Sequence, residues 1–293
     1  MNPVAIPFDI YVAQALHGLV YGMLLFLVAS GLNLVLGMMG VLNIAHASFY
    51  MLGAYFAYTV TAYSGSFWLS LLISPLLVGG IGLLLERLLI RQTYKSGHDL
   101  QLLLTFGLFF IMNEITRIIW GSGLLTVETP PILSGSIPFM GRIYPVYRLF
   151  IIGFTALIVV CMIFVLTKTR VGIIIRAAVK DAEMVEALGN NVPTVFLLVF
   201  GAGSALAGLA GVIAAPFLSV YLNMGAEALM DCFVVIVVGG FGSLFGALIA
   251  SLLIGQLQSF GILWIPQLAM VFQFLLMALI LILRPTGLFG EKE

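Results

Sequence analysis

Long apolar stretches separated by short polar connections run through the whole chain. Read with a window as long as a membrane span, they give eight candidate segments, near residues 12–36, 43–63, 67–90, 100–120, 148–167, 193–216, 229–259 and 262–283. Several reach the roughly 20 residues that a helix needs to cross a bilayer, and residues 149–166 lack the alternation of a barrel strand. The pattern predicts an all-α, polytopic membrane protein with about eight transmembrane elements.

The 229–259 segment is too long for a single crossing. At ~1.5 Å per residue it would extend about 46 Å, well beyond a hydrocarbon core of roughly 30 Å. We predict an interruption at Gly239, Gly240 and Gly242, because glycine lacks the side chain that restrains the backbone. Two short crossings, or one crossing with a re-entrant arm, would both satisfy this pattern, and they place the C-terminus on different sides.

A similar interruption is predicted at residues 37–40, again followed by a helix rich in small residues. Paired interrupted helices often border the substrate path of a transporter, but small residues also allow close helix packing, so both interpretations stay open. His46 is either a hydrogen-bonded core residue or part of the path, where helix-end amides could meet a zwitterionic ligand. The candidate path residues are Asn43, His46, Ser48, Gly37, Gly40, Gly239, Gly240 and Gly242.

Composition and charge placement support a membrane protein and suggest its orientation. The chain is 62% hydrophobic and 8% charged, whereas a soluble domain carries about 25% charged residues. Basic residues cluster in two connections, residues 87–95 and 168–180, and positive connections normally stay in the cytoplasm. Two predicted spans lie between these connections, so the proline-rich residues 130–145 that join the two spans are predicted to lie outside. No basic patch is broad enough to suggest nucleic-acid binding.

Residues 167–191 form an island of charge between two apolar runs. No residue from 171 to 188 looks like a helix breaker, so we predict one amphipathic helix there, with its apolar face at Val171, Ile175, Ala178, Ala182 and Val185. Each charge at mid-bilayer would cost ~2.5–3.5 kcal/mol, so this helix must lie at the membrane surface or protrude from it. It is either a simple connector or a docking surface, and Gly189 is its expected C-terminal stop.

Family motifs favour docking. Residues 183–189 resemble the E-A-A-x-x-x-G signature of ABC importer permeases, with Glu183 and Gly189 matching and Met184 and Val185 replacing the alanine pair. Further motifs lie at residues 31–37 (GLNLVLG), 43–47 (NIAHA), 85–87 (LER), 176–178 (RAA), 205–211 (ALAGLAG), 239–243 (GGFGS) and 284–290 (RPTGLFG). In these motifs the wider chain resembles the permeases of branched-chain amino-acid ABC importers, the LivH/LivM type.

The resemblance implies a complex in the bacterial inner membrane. This chain would be a single permease domain, residues 1–293, with a cytoplasmic coupling segment at 168–192. Its partners would be two cytoplasmic ABC ATPases, a second permease, identical or related, and an external substrate-binding protein. Branched-chain amino acids are the family default, with urea, short amides and aromatic acids left open. The residues implied in ATPase coupling are Arg176, Lys180, Asp181, Glu183 and Gly189.

We expect neither an enzyme nor a cofactor. The chain lacks a G-x-x-x-x-G-K-[S/T] phosphate loop, so ATP chemistry would belong to partners. Ser48, Ser204 and Ser251 have no recognisable catalytic base nearby, and the spacing of the two cysteines does not suggest a metal site.

Ionisable residues within the spans support one further alternative. Glu114 and Arg117 are spaced for a local ion pair, and Asp231 is expected in the outer headgroup region at the start of a span. The alternative function is a secondary transporter driven by protons or Na⁺, with Glu114, Asp231 or His46 as the coupling group.

Overall fold

The computed structural model describes residues 7–94, 97–139 and 142–290. Its helices are α1 (Phe8–Met39), α2 (His46–Ser64), α3 (Phe67–Leu88), α4 (His98–Trp120), α5 (Val146–Lys168), α6 (Arg170–Lys180), α7 (Ala182–Ala187), α8 (Val192–Ala214), α9 (Met224–Gly239), α10 (Leu244–Trp264) and α11 (Ala269–Leu283). Two short antiparallel strands, β1 (Ser136–Phe139) and β2 (Arg142–Pro145), form a hairpin between α4 and α5.

The all-α, polytopic prediction is confirmed. Among the described residues, seven helices are long and apolar enough to cross a membrane. Helices α2 and α9 fall outside that set and occupy the rest of the predicted segments, so the expected count of about eight is approximate. The 229–259 stretch is interrupted as predicted, because α9 ends at Gly239 and α10 begins at Leu244.

The bundle has two distinct ends. Helices α1 and α10 are antiparallel: Ser259 Oγ donates to Gln14 O at 2.7 Å near one end, and Gly37 packs on Gly242 at the other. We call the second the basic end, because the described parts of the connections that carry the basic clusters, 89–94 and 169–191, lie there with residues 284–290. The β hairpin lies at the opposite end. Lys95, from the first cluster, falls outside the described residues.

Small residues hold the core together. Helix α8 is buried against α1, α2 and α3, and its glycines meet neighbouring backbone directly: Gly208 faces Gly53 of α2, and Gly211 faces Tyr50. Such close approach lets dispersion contacts form along the whole helix pair. The motif at residues 205–211 is therefore a packing surface. Helices α4, α5 and α11 instead turn many large apolar side chains outward.

Candidate translocation path and coupling segment

Two helices begin inside the bundle rather than at its ends. His46, the first residue of α2, packs against Gly31 of α1, where an added Cβ would lie 3.0 Å from His46 Cε1. A Cβ on Gly225, near the start of α9, would lie 2.9 Å from Ala47 O. The amino-terminal ends of α2 and α9 therefore meet in the interior. From there α2 runs to the opposite end and α9 to the basic end.

Asn43, His46 and Ser48 are all buried at this meeting point. His46 Nε2 lies 3.2 Å from Val28 O, and its ring packs edge-on against Phe49. Within the described residues, both amide atoms of Asn43 and the Ser48 hydroxyl find no hydrogen-bond partner. Such orphaned polar atoms are costly in a protein interior, so a transport role for these residues stays a prediction with physical motivation. None of the three lines the cavity at the basic end that is described next.

Gly37 and Gly242 line a cavity of about 630 Å³ at the basic end, between α1, α5, α6 and α10. Gly242 N–H donates to Asn33 Oδ1 at 2.9 Å, which ties the second interruption to α1 six residues before that helix ends. Asn33 Nδ2 has no partner among the described residues. The cavity lining includes Phe26, Asn33, Gly37, Met162, Arg176 and Gly242.

The other predicted glycines serve turns and packing. Gly40 closes α1 with a φ of +62°, in the left-handed region where glycine is favoured. Gly239 packs against Gly246. Gly240 has a φ of +100° and packs against the backbone of Gly290. The carboxyl-terminal segment is fixed here by Phe289 N–H, which donates to Gly239 O at 3.0 Å. Packing, one of the two interpretations left open by the sequence, therefore accounts for Gly239 and Gly240.

The coupling segment is two helices, so the prediction of one continuous helix over 171–188 is wrong. The backbone breaks at Asp181, which has φ −155° and ψ 91°. Its Oδ1 accepts from Met184 N–H at 2.8 Å, so aspartate acts as the N-cap of α7. Gly189, at φ +87°, terminates this region as predicted. Asn191 then caps α8 through a hydrogen bond from Thr194 N–H.

The segment has a buried face and an exposed face. Ala178, Val185 and Val192 form a small apolar cluster, packed against Ile174, Ala182 and Phe196. Val171 does not join it, because its side chain is 53% exposed. The outer face carries Met184 and Leu188, which are 56% and 73% exposed.

The predicted coupling residues lie along this outer face. Asp181 and Glu183 are exposed, and Arg176 is exposed with its guanidinium donating to Leu166 O at the end of α5. The Lys180 side chain falls outside the described residues. The arrangement offers a partner both apolar contact and charge.

A buried ion pair ties α3 to the start of α8. Glu86 is fully buried and accepts from Arg91 Nη2 at 3.0 Å and from the Tyr94 hydroxyl at 2.6 Å. Arg91 also donates to Pro193 O, directly after the coupling segment. The hydrogen bond to Glu86 raises the pKa of Arg91, and burial together with Glu86 raises that of Tyr94. In the sequence Glu86 is only part of a family motif, and nothing there predicts this network.

We expect Glu86→Gln to lower the melting temperature of the detergent-solubilised protein. An amide offers one acceptor oxygen in place of a charged carboxylate, and a hydrogen bond to a charged group is worth ~1.5–3 kcal/mol. The matched control is Glu114→Gln, because the Glu114–Arg117 pair is exposed on α4 and should contribute little. Equal shifts in the two variants would contradict the structural role of the Glu86 network.

Of the ionisable residues in the spans, Glu114 and Arg117 are arranged as expected and Asp231 is not. Glu114 and Arg117 form the expected ion pair, with Nη2 and Oε1 2.5 Å apart. Asp231 was expected at the membrane surface, but it lies seven residues inside α9, because that helix starts at Met224. Its carboxylate accepts from the Tyr21 hydroxyl at 2.6 Å and from Gln273 Nε2 at 2.9 Å. Hydropathy gave no signal for Tyr21 or Gln273.

These features define a class of protein. A bundle of apolar helices encloses two interrupted helices that run in opposite directions, and an amphipathic segment is exposed at its basic end. This is the construction of a membrane transporter. The profile of the family described as "Branched-chain amino acid transport system / permease component" matches residues 14–281. The chain belongs to this family. It is therefore a multi-pass transport permease component and not an enzyme.

Similar proteins cover nearly the whole chain. BraD of Pseudomonas aeruginosa, a high-affinity branched-chain amino acid transport system permease protein, is 28% identical over 97% of both chains. LivH of Escherichia coli K12, with the same description, is 28% identical over 97% of this chain and 96% of its own. A probable LivH of Methanocaldococcus jannaschii is 27% identical over 82% and 78%. No solved structure gives a significant match. The ion-driven alternative is not favoured.

Proposed function

We propose that this chain forms the translocation path for branched-chain or related amino acids in an ABC importer of the inner membrane. The observation that carries the proposal is the coupling segment, an amphipathic pair of helices exposed at the basic end of a transporter bundle. Two cytoplasmic ATPases, a second permease subunit and an external substrate-binding protein complete the proposed complex. The permease relatives named above support the choice of substrate.

The proposed orientation places the basic end in the cytoplasm. Basic side chains are concentrated there, and cytoplasmic connections carry the excess of lysine and arginine. The coupling segment then faces the ATPases, and the hairpin end faces the binding protein. The chain starts outside and its last helix, α11, ends inside. On this proposal residues 1–293 act as one permease domain.

The contacts of the coupling segment suggest how movement would reach the spans. Arg176 holds α6 to the end of α5, and the Glu86–Arg91 pair holds α3 to Pro193 at the start of α8. A push on the segment would thus act on α5 and α8 together. Helix α5 borders the 630 Å³ cavity, which gives it room to move relative to α1. Interfaces of this kind switch between discrete packings rather than deforming continuously.

The predicted path residues take separate roles in this proposal. Asn43, His46 and Ser48 line the region where α2 and α9 meet, and their unpaired polar atoms would find partners when a substrate or water reaches them. Gly37 and Gly242 border the cavity that closes or opens, and Gly40 fixes the turn between α1 and α2. Gly239 and Gly240 hold the carboxyl-terminal segment against the end of α9.

Reconstitution tests the proposal. The chain is co-expressed with its partner permease, ATPases and binding protein, and the complex is placed in liposomes. We expect leucine uptake that requires ATP and the binding protein, with excess isoleucine or valine competing and urea, short amides and aromatic acids not competing. Uptake by the chain alone, driven by a proton or Na⁺ gradient, would contradict it.

A further inference from the structure

The charge at Asp231 lies near the middle of the bundle. Asp231 is eight residues before the end of α9, or about 12 Å along the helix, and Gln273 is ten residues before the end of α11, or about 15 Å. Helix α10 beside them extends about 32 Å. A carboxylate at this depth is costly, and such groups normally serve transport.

The side of α9 that carries this charge is open. Asp231 is half-buried, while Glu227, one turn earlier, and Met230 are exposed. Glu227 accepts from the Tyr221 hydroxyl. Glu114 is exposed beside its partner Arg117, but Glu227 has no basic partner among the described residues. An exposed, unpaired carboxylate in a membrane bundle must face protein or water rather than lipid, so this face of α9 borders a partner or a water-filled space in the assembled complex.

A second observation points to a ligand with hydrogen-bond donors. Gln273 is only 6% exposed, and its Oε1 has no partner among the described residues. Its Nε2 donates to Asp231 Oδ1, so Oε1, on the same amide group, lies at the edge of the same cluster. The carboxylate has about four lone-pair sites and uses one on each oxygen. The cluster thus offers unused acceptors and a negative charge.

We propose that Asp231, with Gln273 Oε1 and with Glu227 one turn before it, forms the intramembrane contact for the ammonium group of the transported amino acid. This rests on the proposed function. An ammonium group supplies three donors and one positive charge, which match the acceptors left free in the cluster. In an ATP-driven importer the carboxylate has no ion gradient to couple, so its charge serves the substrate. The hydroxyl of Tyr21 positions the carboxylate and does not contact the substrate.

The test compares carboxyl-to-amide changes in the reconstituted complex. We expect Asp231→Asn to lower ATP-dependent leucine uptake at least about tenfold, the loss of a hydrogen bond to a charged group. Assembly and binding-protein-stimulated ATP hydrolysis should persist, and Asp231→Glu should restore part of the uptake. The matched control, Glu114→Gln, makes the same change in an acid exposed on α4 and should leave uptake unchanged.

Chemistry specific to the ammonium group separates this role from a structural one. The hydroxy-acid analogue of leucine lacks that group, so the ratio of leucine to analogue uptake should fall in Asp231→Asn. Wild-type uptake in the Asp231→Asn complex would overturn the proposal, as would an unchanged ratio of leucine to analogue uptake in the assembled variant. If the Asp231→Asn complex does not assemble, Gln273→Met takes its place in the test. The proposal requires Gln273→Met to lower uptake more than Tyr21→Phe, because Gln273 contacts the ammonium group and Tyr21 does not.

Two further results are distinguishable. A wild-type complex that takes up no amino acid with ATP contradicts the proposed function itself. Uptake that depends on a proton or Na⁺ gradient in the wild type and loses that dependence in Asp231→Asn assigns the carboxylate to ion coupling, and it overturns the ammonium contact.

Discussion

The variant Leu188→Asp will fail to co-purify with the ATPase subunits and will lose ATP-driven uptake, while the permease itself remains folded. Leu188 follows α7 and its side chain is 73% exposed, so a carboxylate there meets water in the isolated chain. In the proposed complex the same carboxylate would be buried against an ATPase subunit. Loss of a central apolar contact typically costs about 2 kcal/mol, and a buried unpaired charge adds to that. We therefore expect association to weaken by well over tenfold.

A matched control comes from the opposite end of the bundle. Leu124, just after α4, is also 73% exposed, so Leu124→Asp makes the same chemical change on a surface that the ATPases should not touch. Affinity purification through a tag on the ATPase measures association, and size-exclusion profiles measure folding. If Leu124→Asp weakens association as much as Leu188→Asp, the coupling segment is not the docking surface.

The second large effect concerns stability. Gly211→Leu in α8 will sharply reduce the yield of folded protein, because a Cβ at this position collides with Tyr50 O and would lie 2.8 Å from Ala54 N. These are backbone atoms of α2, so no change of rotamer relieves the clash. Overpacking of a core costs ~1–3 kcal/mol where side chains can adjust, and the cost here should reach or exceed that range.

The control for this effect is Gly153→Leu in α5. A Cβ on Gly153 meets nothing within 4 Å, and leucine has the better helix propensity. Yield after solubilisation and the melting temperature compare the two variants. A normal melting temperature for Gly211→Leu would mean that α2 and α8 are not in backbone contact in the membrane.

The positions of the glycine breaks could be predicted because glycine acts locally. The gap at Gly239–Gly242 and the stop at Gly189 follow from backbone freedom that no other residue supplies. The break at Asp181 could not be predicted from the local pattern. Aspartate is compatible with a helical pattern, and only the hydrogen bond from Met184 N–H shows that its side chain competes with the helix and starts a new one.

The candidate site was less predictable than the fold. Of the predicted path residues, the structure brings Gly37 and Gly242 to a cavity, buries Asn43, His46 and Ser48 at a helix junction, and uses Gly239 and Gly240 for packing. Sequence spacing could not separate these outcomes. A glycine that lines a cavity and one that touches a neighbouring backbone satisfy the same local pattern, and they differ only in what lies opposite.

The sequence by itself determined that this is a polytopic helical membrane protein, where its spans lie, where two of them break, and which end carries the basic charge. Those properties depend on hydropathy, glycine placement and charge along the chain, all of which are local. Only the tertiary structure decided that α2 and α9 start face to face in the interior, and that Asp231 lies near the middle of the bundle rather than at its surface. Depth and facing depend on which helices pack together, and no single segment encodes that.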